Sequence, residues 1–404
     1  MDHQTLFVGI DVSKLKHDVA VMNEYKKLVT RTFVIQDTYV GYQYLLGTLG
    51  KLTSNFQTQY FHVGLEATGD YWKNIYYFLK KQSNSFIVTV INPVRTKAFA
   101  KTELRRAKTD AVNAKDIAQF MVEKRPMASI DRPAVYENIR DIDRQIYQIK
   151  KQQTMVTNKL RIELTKVAPE IEKTVSNIKG QQILALLAKF PTAEKIRNAP
   201  PHELSDIRYG KKQWLLPTGF IKKMKSTAQD SIAHKTDLGA GYVVQSLIRR
   251  LYQSQQEVEN LKLQLVELYQ SVKELDSLLA TIPGITKETA IVLEAYIGDV
   301  NRFSNAKKLV AYFGMNPTVN LSGKSQKRAS YLQKKGSPIV RHKLFMATLC
   351  MISCKTEPFY AYFKRLVDAG KPKLVAICAT MRKLLVIIYY MLKKYEKFNP
   401  KKNQ

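Results

Sequence analysis

The spacing of apolar and polar residues changes character along the chain. In the first 125 residues or so the apolar runs are short and β-rich. "TLFVGIDV" at 5–12, "HDVAVM" at 17–22 and "VTRTFVI" at 29–35 are separated by polar, turn-like links, which predicts a three-stranded meander. A helix is predicted from Asp37 to about Leu49, then the strand "YFHVGLE" at 60–66 and a helix from Asp70 to Lys81. The strand "FIVTVI" at 86–91 stops at Asn92-Pro93, and a last helix is expected from about Thr109. From Val135 to about Val167 the period becomes helical, with Ile139, Ile142, Ile146, Ile149, Val156 and Leu160 as its apolar positions. Farther on it becomes heptad. Val244, Leu251, Val258, Leu265 and Val272 form one seam and Leu247, Leu261, Leu268 and Leu275 the other, broken at Ser254. This predicts a coiled coil, paired within one chain or between two. The stretch between the two helical patterns, with "LALLAKFPTAEKIRNAPPHELSDI" at 184–207, predicts a small helical insert. At 278–300 two apolar helices flank Pro283-Gly284, a helix-hairpin-helix pattern in which Gly284 lets the backbone approach a phosphate.

Three antiparallel strands followed by helix, strand, helix, strand, helix is the ribonuclease H-like order, so the N-terminal region is expected to be an α/β layer domain. The acids fall at telling points in that order. Asp11 interrupts an apolar strand, where an isolated carboxylate needs a partner or a metal. Glu66 closes the fourth strand and Asp110 opens the last helix. In ribonuclease H-like enzymes such positions converge on one sheet edge and hold Mg²⁺, which activates an attacking oxygen and stabilises a leaving one. Asp110 taken alone would also serve as an ordinary helix-start acid. Within "AKTDAVNAKDIAQF" at 107–120, Asn113 shares a helix face with Asp110, whereas Asp116 is turned by about 120° and displaced by roughly 9 Å. Asn113 is therefore placed to share an ion with Asp110 through its amide oxygen. Asp116 is the alternative, acting through a water or a second metal.

Charge narrows the partner. The 65 Lys and Arg outweigh 34 Asp and Glu, a formal net charge of +31. From residue 301 onward there are 22 basic against three acidic residues, so +19 of the excess lies in the last quarter. Such a field favours a polyanion without specifying a reaction. Cys350, Cys354 and Cys378 lie in apolar helical sequence without an accompanying His or acid, and are expected to be buried thiols of a reducing cytosol. The late apolar run "LLVIIYYML" at 384–392 is too short to span a bilayer, and the N-terminus lacks a signal-peptide pattern, so no membrane association is expected.

The stretch "GMNPTVNLSGKSQKRASYLQKKGSPIVRHK" at 314–343 combines Gly, Ser and cations as a phosphate-binding surface does. Lys324, Lys327, Arg328, Lys334, Lys335 and Arg341 are its candidate nucleic-acid contacts. A nucleophilic serine needs a base or metal to deprotonate it and cations to hold the phosphoryl oxygens. Ser322, Ser325 and Ser330 all qualify, and local chemistry does not rank them.

"GIDVSK", "LEATGDYW", "VINPVRTKAFAKTELRRAKTD", "IPGITKETA", "IGDVNRFSNAKKLVAYFGMNP", "LSGK" and "GKPKLVAICATMRKLLVIIYYML" occur in this order over nearly the full length. In them the chain resembles the transposase family of insertion sequences guided by a bridge RNA, which also includes the Piv invertase. The resemblance implies a RuvC-like N-terminal domain (1–130) with an Asp-Glu-Asp-Asp site. It implies a coiled-coil arm (131–277) with an insert at about 170–235, a serine-bearing, mainly α C-terminal transposase domain (278–395) and a flexible basic tail (396–404). It assigns Asp11, Glu66 and Asp110 to Mg²⁺ or Mn²⁺, and it selects Ser322 as the nucleophile that forms a phosphoserine link to DNA. A noncoding guide RNA would choose the site, and a homo-oligomer, dimer or tetramer, would act on double-stranded donor and target DNA in a prokaryotic cytoplasm, at the nucleoid. Two departures stand out: Asn113 occupies the place of the family's fourth acid, and Gln333 a place often held by serine. The rival expectations are a RuvC-like endonuclease acting on branched DNA without a covalent serine, and a decayed nucleic-acid-binding protein.

The charge distribution makes its own prediction. DNA affinity in the absence of RNA pairing should fall about a thousandfold between 50 and 200 mM salt if roughly six phosphates are neutralised. Fluorescence anisotropy with a labelled duplex measures this, and a flat salt dependence would show that the basic surface does not bind DNA.

Overall fold

The structure is a computed structural model, and it describes residues 5–58, 60–82, 85–102, 110–129, 133–234, 238–272, 277–318, 331–332 and 336–400. The chain divides into two compact units, Met1–Asp131 and Arg132–Gln404.

In the first unit, β1 (Leu6–Val12), β2 (Lys16–Met22) and β3 (Phe33–Gln36) form the meander. The third strand is shorter than expected, and Leu28 makes only an isolated bridge to Met22. Then come α1 (Tyr39–Phe56), β4 (Phe61–Glu66), α2 (Trp72–Gln82), β5 (Phe86–Ile91), α3 (Pro93–Thr102) and α4 (Asp110–Lys124). The sheet order is β3-β2-β1-β4-β5, with β1 in the middle. β1 is antiparallel to β2 and parallel to β4, and β5 is parallel to β4. This is the ribonuclease H-like arrangement. The sequence reading missed α3, treating Asn92-Pro93 as a stop. Asn92 instead accepts from the Val94 N–H at 2.9 Å, and Pro93 takes the first helical position, where its missing N–H costs nothing.

Strand alternation sorts the two faces. Val8, Ile10, Val19 and Val21 form a core with Tyr42, Leu45, Leu49, Ile75 and Leu79 from α1 and α2. Phe7, Ala20 and Met22 point the other way and pack with Phe99 of α3 and Ala114, Ile117, Ala118 and Met121 of α4. Helix α4 lies unusually close to the sheet. A Cβ on Gly9 would stand 2.2 Å from the Ala114 carbonyl oxygen and 2.3 Å from the Ala118 nitrogen. Its register partner on β4, Gly64, likewise leaves room for Met121.

The second unit is built on two long helices, α5 (Ala134–Val167) and α11 (Leu238–Gln270), which pack along each other within one chain. Leu160, Leu164 and Val167 from the end of α5 share a core with Val244, Leu247 and Leu251 from the start of α11. That core is completed by α6 (Pro169–Thr174), α7 (Gln181–Lys189), α8 (Ala193–Asn198), α9 (Pro201–Ser205) and α10 (Thr218–Gln229). A two-stranded hairpin, β6 (Arg208–Tyr209) with β7 (Trp214–Leu215), adds strand structure to an insert expected to be helical throughout. Ile139, Ile146 and Ile149 pack with Val258, Leu265 and Tyr269 in a second core. The heptad seam ends sooner than its repeat predicts: α11 stops at Gln270, and Val272 is 59% exposed.

That second core continues into α12 (Lys287–Ile297), α13 (Ala306–Tyr312), a two-stranded ribbon of β8 (Pro317–Thr318) and β9 (Tyr331–Leu332), α14 (Pro338–Ser353), α15 (Phe359–Asp368) and α16 (Lys373–Lys394). The element before Pro283-Gly284 is a four-residue 3₁₀ turn, Leu278–Thr281, rather than a helix. Lys343 of α14 pairs with the buried Asp143 of α5 at 2.9 Å. The 22 residues of α16 are long and apolar enough to cross a membrane, unlike the nine-residue run read from sequence. Its apolar side is used in the core, where Met381, Leu384, Leu385 and Ile388 are buried. The expectation of buried thiols fails: Cys350 and Cys354 are exposed and Cys378 half-buried, because α14 buries the opposite face through Val340, Leu344, Ala347 and Met351. Phe398, in the segment expected to be a flexible tail, stacks on Phe359 at 5.9 Å and donates its N–H to Thr281.

The close packing of α4 sets the first stability test. Gly9→Ala forces backbone apart from backbone and should destabilise the first unit by about 3 kcal/mol or more. Gly47→Ala, on α1 with nothing within 4 Å of the added carbon, should stabilise by roughly 0.5–1 kcal/mol. Denaturant unfolding of the two variants measures both effects, and equal effects would refute the close-packing argument.

Candidate active site

The C-terminal ends of β1 and β4 and the start of α4 bring the predicted acids together. Asp11 lies at the end of β1, on the same side as Phe7 and therefore toward α4. Glu66 ends β4 and, by the parallel register, belongs to the same face. Asp110 is exposed in the first turn of α4. Asn113, one turn on, donates its amide to Asp11 at 3.0 Å. The Gly9 contact makes this possible, because it presses the first turns of α4 down onto the end of β1.

The electrostatics follow from this geometry. Burial pushes the Asp11 carboxyl up to about 6; the Asn113 hydrogen bond opposes the rise, and the charges of Glu66, Asp110 and Asp18 add to it. Glu66 accepts from Thr96 at 2.7 Å and from Thr68 at 3.3 Å. Thr96 belongs to α3, so sequence reasoning missed this residue together with its helix. Asp116 is buried farther along α4 and is engaged in an interaction of its own. Asp18 was also missed. It lies directly across from Asp11 in the β1–β2 register and is only 8% exposed. Burial pushes its carboxyl upward and the charge of Asp110 adds to that. Period-2 alternation through "HDVAVM" would have exposed it, since Asp18 shares the face of Ala20 and Met22.

As placed, no three Asp, Glu, His or Cys side chains among the described residues enclose one ion. The donor chemistry nevertheless fits a divalent cation. Several carboxylates share one end of a sheet, and no Lys or Arg forms an ion pair with Asp11, Asp18, Glu66 or Asp110 among the described residues. Hard oxygen donors gathered without an ion pair among the described residues match Mg²⁺ or Mn²⁺.

In the second unit, Ser322, Ser325, Ser330, Lys324, Lys327, Arg328, Gln333, Lys334 and Lys335 lie outside the described residues. Their flanks are described: β8 and β9 pair antiparallel, bringing the two ends of that segment together. Arg341 donates to the backbone carbonyls of Gly336 at 2.6 Å and Phe313 at 3.3 Å, so it ties the base of the segment. Gly284 has φ +90°, and a Cβ there would meet Met351 of α14 at 3.0 Å, which gives this glycine a packing reason. A basic cavity of about 640 Å³ was not singled out from sequence. Lys307, Arg382, Lys383 and Tyr362 line it, and Arg365 and Lys383 both sit over the Tyr362 ring, at 5.2 and 5.0 Å.

The raised Asp11 carboxyl makes metal-free stability pH-dependent. Its folded value of about 6 exceeds the ordinary 3.8, so the folded state binds more protons than the unfolded state between those values. Its contribution is fully present below about pH 4 and is lost as pH rises through 6. Asp11→Asn should therefore raise the melting temperature of the metal-free protein at pH 7 and lose that advantage at pH 4. Thermal melts in chelator at both pH values check the sign.

The DEDD transposase family of IS110 elements matches residues 8–169, and the family described as Transposase IS116/IS110/IS902 matches residues 276–364. The chain is 25% identical over 393 residues to the pilin gene-inverting protein of Moraxella bovis, covering 97% of each. It is 22% identical over 246 residues to an IS110 insertion-element protein of Streptomyces coelicolor, covering 59% of each. Among solved structures, T. thermophilus RuvC in complex with Holliday junction substrate matches 31% of this chain and 99% of its own, with 12% identity and a TM-score of 0.24. With the acidic residues on β1, β4 and α4 inside the first family match and the basic segment around 314–343 inside the second, the chain belongs to the IS110/IS116/IS902 transposase family and is a DNA transposase/recombinase.

Proposed function

We propose that this transposase cuts and rejoins double-stranded DNA with two centres: a metal-binding carboxylate site of Asp11, Glu66 and Asp110, and a serine nucleophile, Ser322. The observation that carries the reading is the convergence of carboxylates, none in an ion pair among the described residues, where β1 and β4 end beneath the start of α4. Bound divalent ions supply charge neutralisation at a phosphate and a lowered barrier to deprotonating an attacking hydroxyl. Asp11, Glu66 and Asp110 hold the ions, Asn113 orients Asp11 by its hydrogen bond, and Thr96 orients Glu66.

Ser322 Oγ bonds to the DNA phosphorus as the bond from phosphorus to the deoxyribose oxygen breaks. The serine proton ends on the departing sugar hydroxyl. Because one phosphoester replaces another, the link stores the energy of the cut bond, and a hydroxyl from a second strand reverses the step to rejoin DNA. Cations of the 314–343 segment and of the Arg382–Lys383 cavity hold phosphates nearby. In this scheme residues 1–130 carry the acids, 131–277 form the coiled-coil arm and 278–395 carry the serine. A noncoding bridge RNA pairs with donor and target, and a dimer or tetramer brings two duplexes together in the cytoplasm.

The reading is tested with the full chain, RNA transcribed from the DNA flanking its gene, and labelled donor and target. Ser322→Ala should lower the protein–DNA adduct on a denaturing gel at least a hundredfold while leaving DNA affinity within threefold. An adduct that persists in Ser322→Ala but disappears in Ser325→Ala or Ser330→Ala would move the nucleophile. Metal-dependent cleavage without any adduct would favour the endonuclease reading.

A further inference from the structure

Asp18 makes no use of its charge in holding the fold together. It is 8% exposed, and among the described residues no hydrogen bond or ion pair satisfies it. Its carboxylate oxygens keep some contact with solvent, so the charge is tolerated there although no protein group among the described residues answers it. The alternation of β2 fixes where it belongs. His17 lies on the α1 side, 3.3 Å from Asp37, and Val19 and Val21 pack there with Tyr42 and Leu45. Ala20 and Met22 lie on the α4 side. Asp18 shares their parity and therefore faces α4, directly opposite Asp11 in the antiparallel register.

Like charges opposed across two strands are unfavourable, and in a chain with a net charge of +31 a neighbouring lysine would be an easy remedy. The nearest basic side chain on this strand is the exposed Lys16, which sits two positions away and forms no ion pair with Asp18. Beyond burial, the charge of Asp110 from α4 raises the Asp18 carboxyl, and Lys16 and His17 oppose it in part without pairing with it. Meanwhile Asn113, one turn on from Asp110, brings no charge and donates to Asp11.

We propose that Asp18 is the fourth carboxylate of the metal centre. It lies on the β2 side of Asp11, as Glu66 lies on the β4 side, so Asp11 is flanked by an acid on each neighbouring strand. Asp18 then joins Asp11, Glu66 and Asp110 as a hard oxygen donor at this sheet end, and a bound divalent cation would draw these carboxylates closer than they stand here, where no three among the described residues enclose one ion. The inference rests on the metal-site reading above and adds a ligand to it.

Mn²⁺ binding to the full chain, followed by electron paramagnetic resonance and isothermal titration calorimetry without DNA, tests it apart from activity. Wild type should bind two ions, and Asp18→Asn should lose one or bind it at least tenfold more weakly. Asp18→Glu should retain both. The Asn113→Asp change placed in the Asp18→Asn protein should restore at least part of the lost binding. Metal-free Asp18→Asn should melt no lower than wild type, which separates loss of a ligand from loss of the fold. If Asp18→Asn binds both ions normally while Asp11→Asn loses them, Asp18 is not a ligand and the metal site stands without it. If Asp11→Asn also binds Mn²⁺ normally, the metal-site reading itself fails.

Discussion

Helix α4 rests on β1 through backbone rather than side chains, and the acidic end of the first unit depends on that contact. At Gly9 the helix comes so near that no side-chain carbon fits between them. The approach buries Ala114, Ile117, Ala118 and Met121 against one side of the sheet while α1 and α2 cover the other. A sheet packed on both faces has little freedom to shift. The start of α4 is thus held over the strand ends, and Asn113 reaches Asp11 at 3.0 Å. The apolar burial around it offsets the cost of gathering carboxylates there.

The second unit solves a different problem, that of holding long helices in register. Packed apolar seams alone allow sliding, and buried polar ties oppose it. Asp143 of α5 pairs with Lys343 of α14, and Glu294 of α12 accepts from Tyr269 of α11 at 2.7 Å and from Ser277. The first tie joins elements 200 residues apart and the second joins neighbouring helices, and each loses more by slipping than an apolar contact would, because a buried charge would be stranded. Arg341 works in the same way at the base of the segment between β8 and β9. Its guanidinium is committed to backbone carbonyls and is drawn into structure. Lys307, Arg382 and Lys383 instead line an open cavity.

These two solutions divide the chemistry of the transposase. The first unit gathers carboxylates at one end of a rigid sheet, the proposed place for a cation that would meet phosphate oxygens. The second carries a basic cavity lined by Lys307, Arg382 and Lys383, proposed to meet phosphates directly. Neither set of groups would be stable if mixed without order. An arginine among the acids of β1, β2 and β4 would neutralise them by ion pairing and remove the electrostatic demand for a metal.

The sequence by itself determined the alternation of strands and helices in the first unit, the two long helices of the second and the basic excess of the last quarter. Those are properties of local period and composition, and a single strand or helix expresses them before any packing occurs. It also singled out Asp11, inside an apolar strand, and Glu66 and Asp110, at the end of a strand and the start of a helix, because such placements are visible without a structure. Tertiary structure decided what depends on pairing and close approach. Strand register set Asp18 opposite Asp11, although seven residues separate them in sequence. The packing of α3, begun by an Asn-Pro pair that reads equally as a strand stop, delivered Thr96 to Glu66. Packing also spent Arg341 on carbonyls, turned Gly284 toward Met351 and left Cys350 and Cys354 in solvent. In each case the deciding quantity is a distance between residues that the chain brings together only when it folds, and no local pattern encodes it.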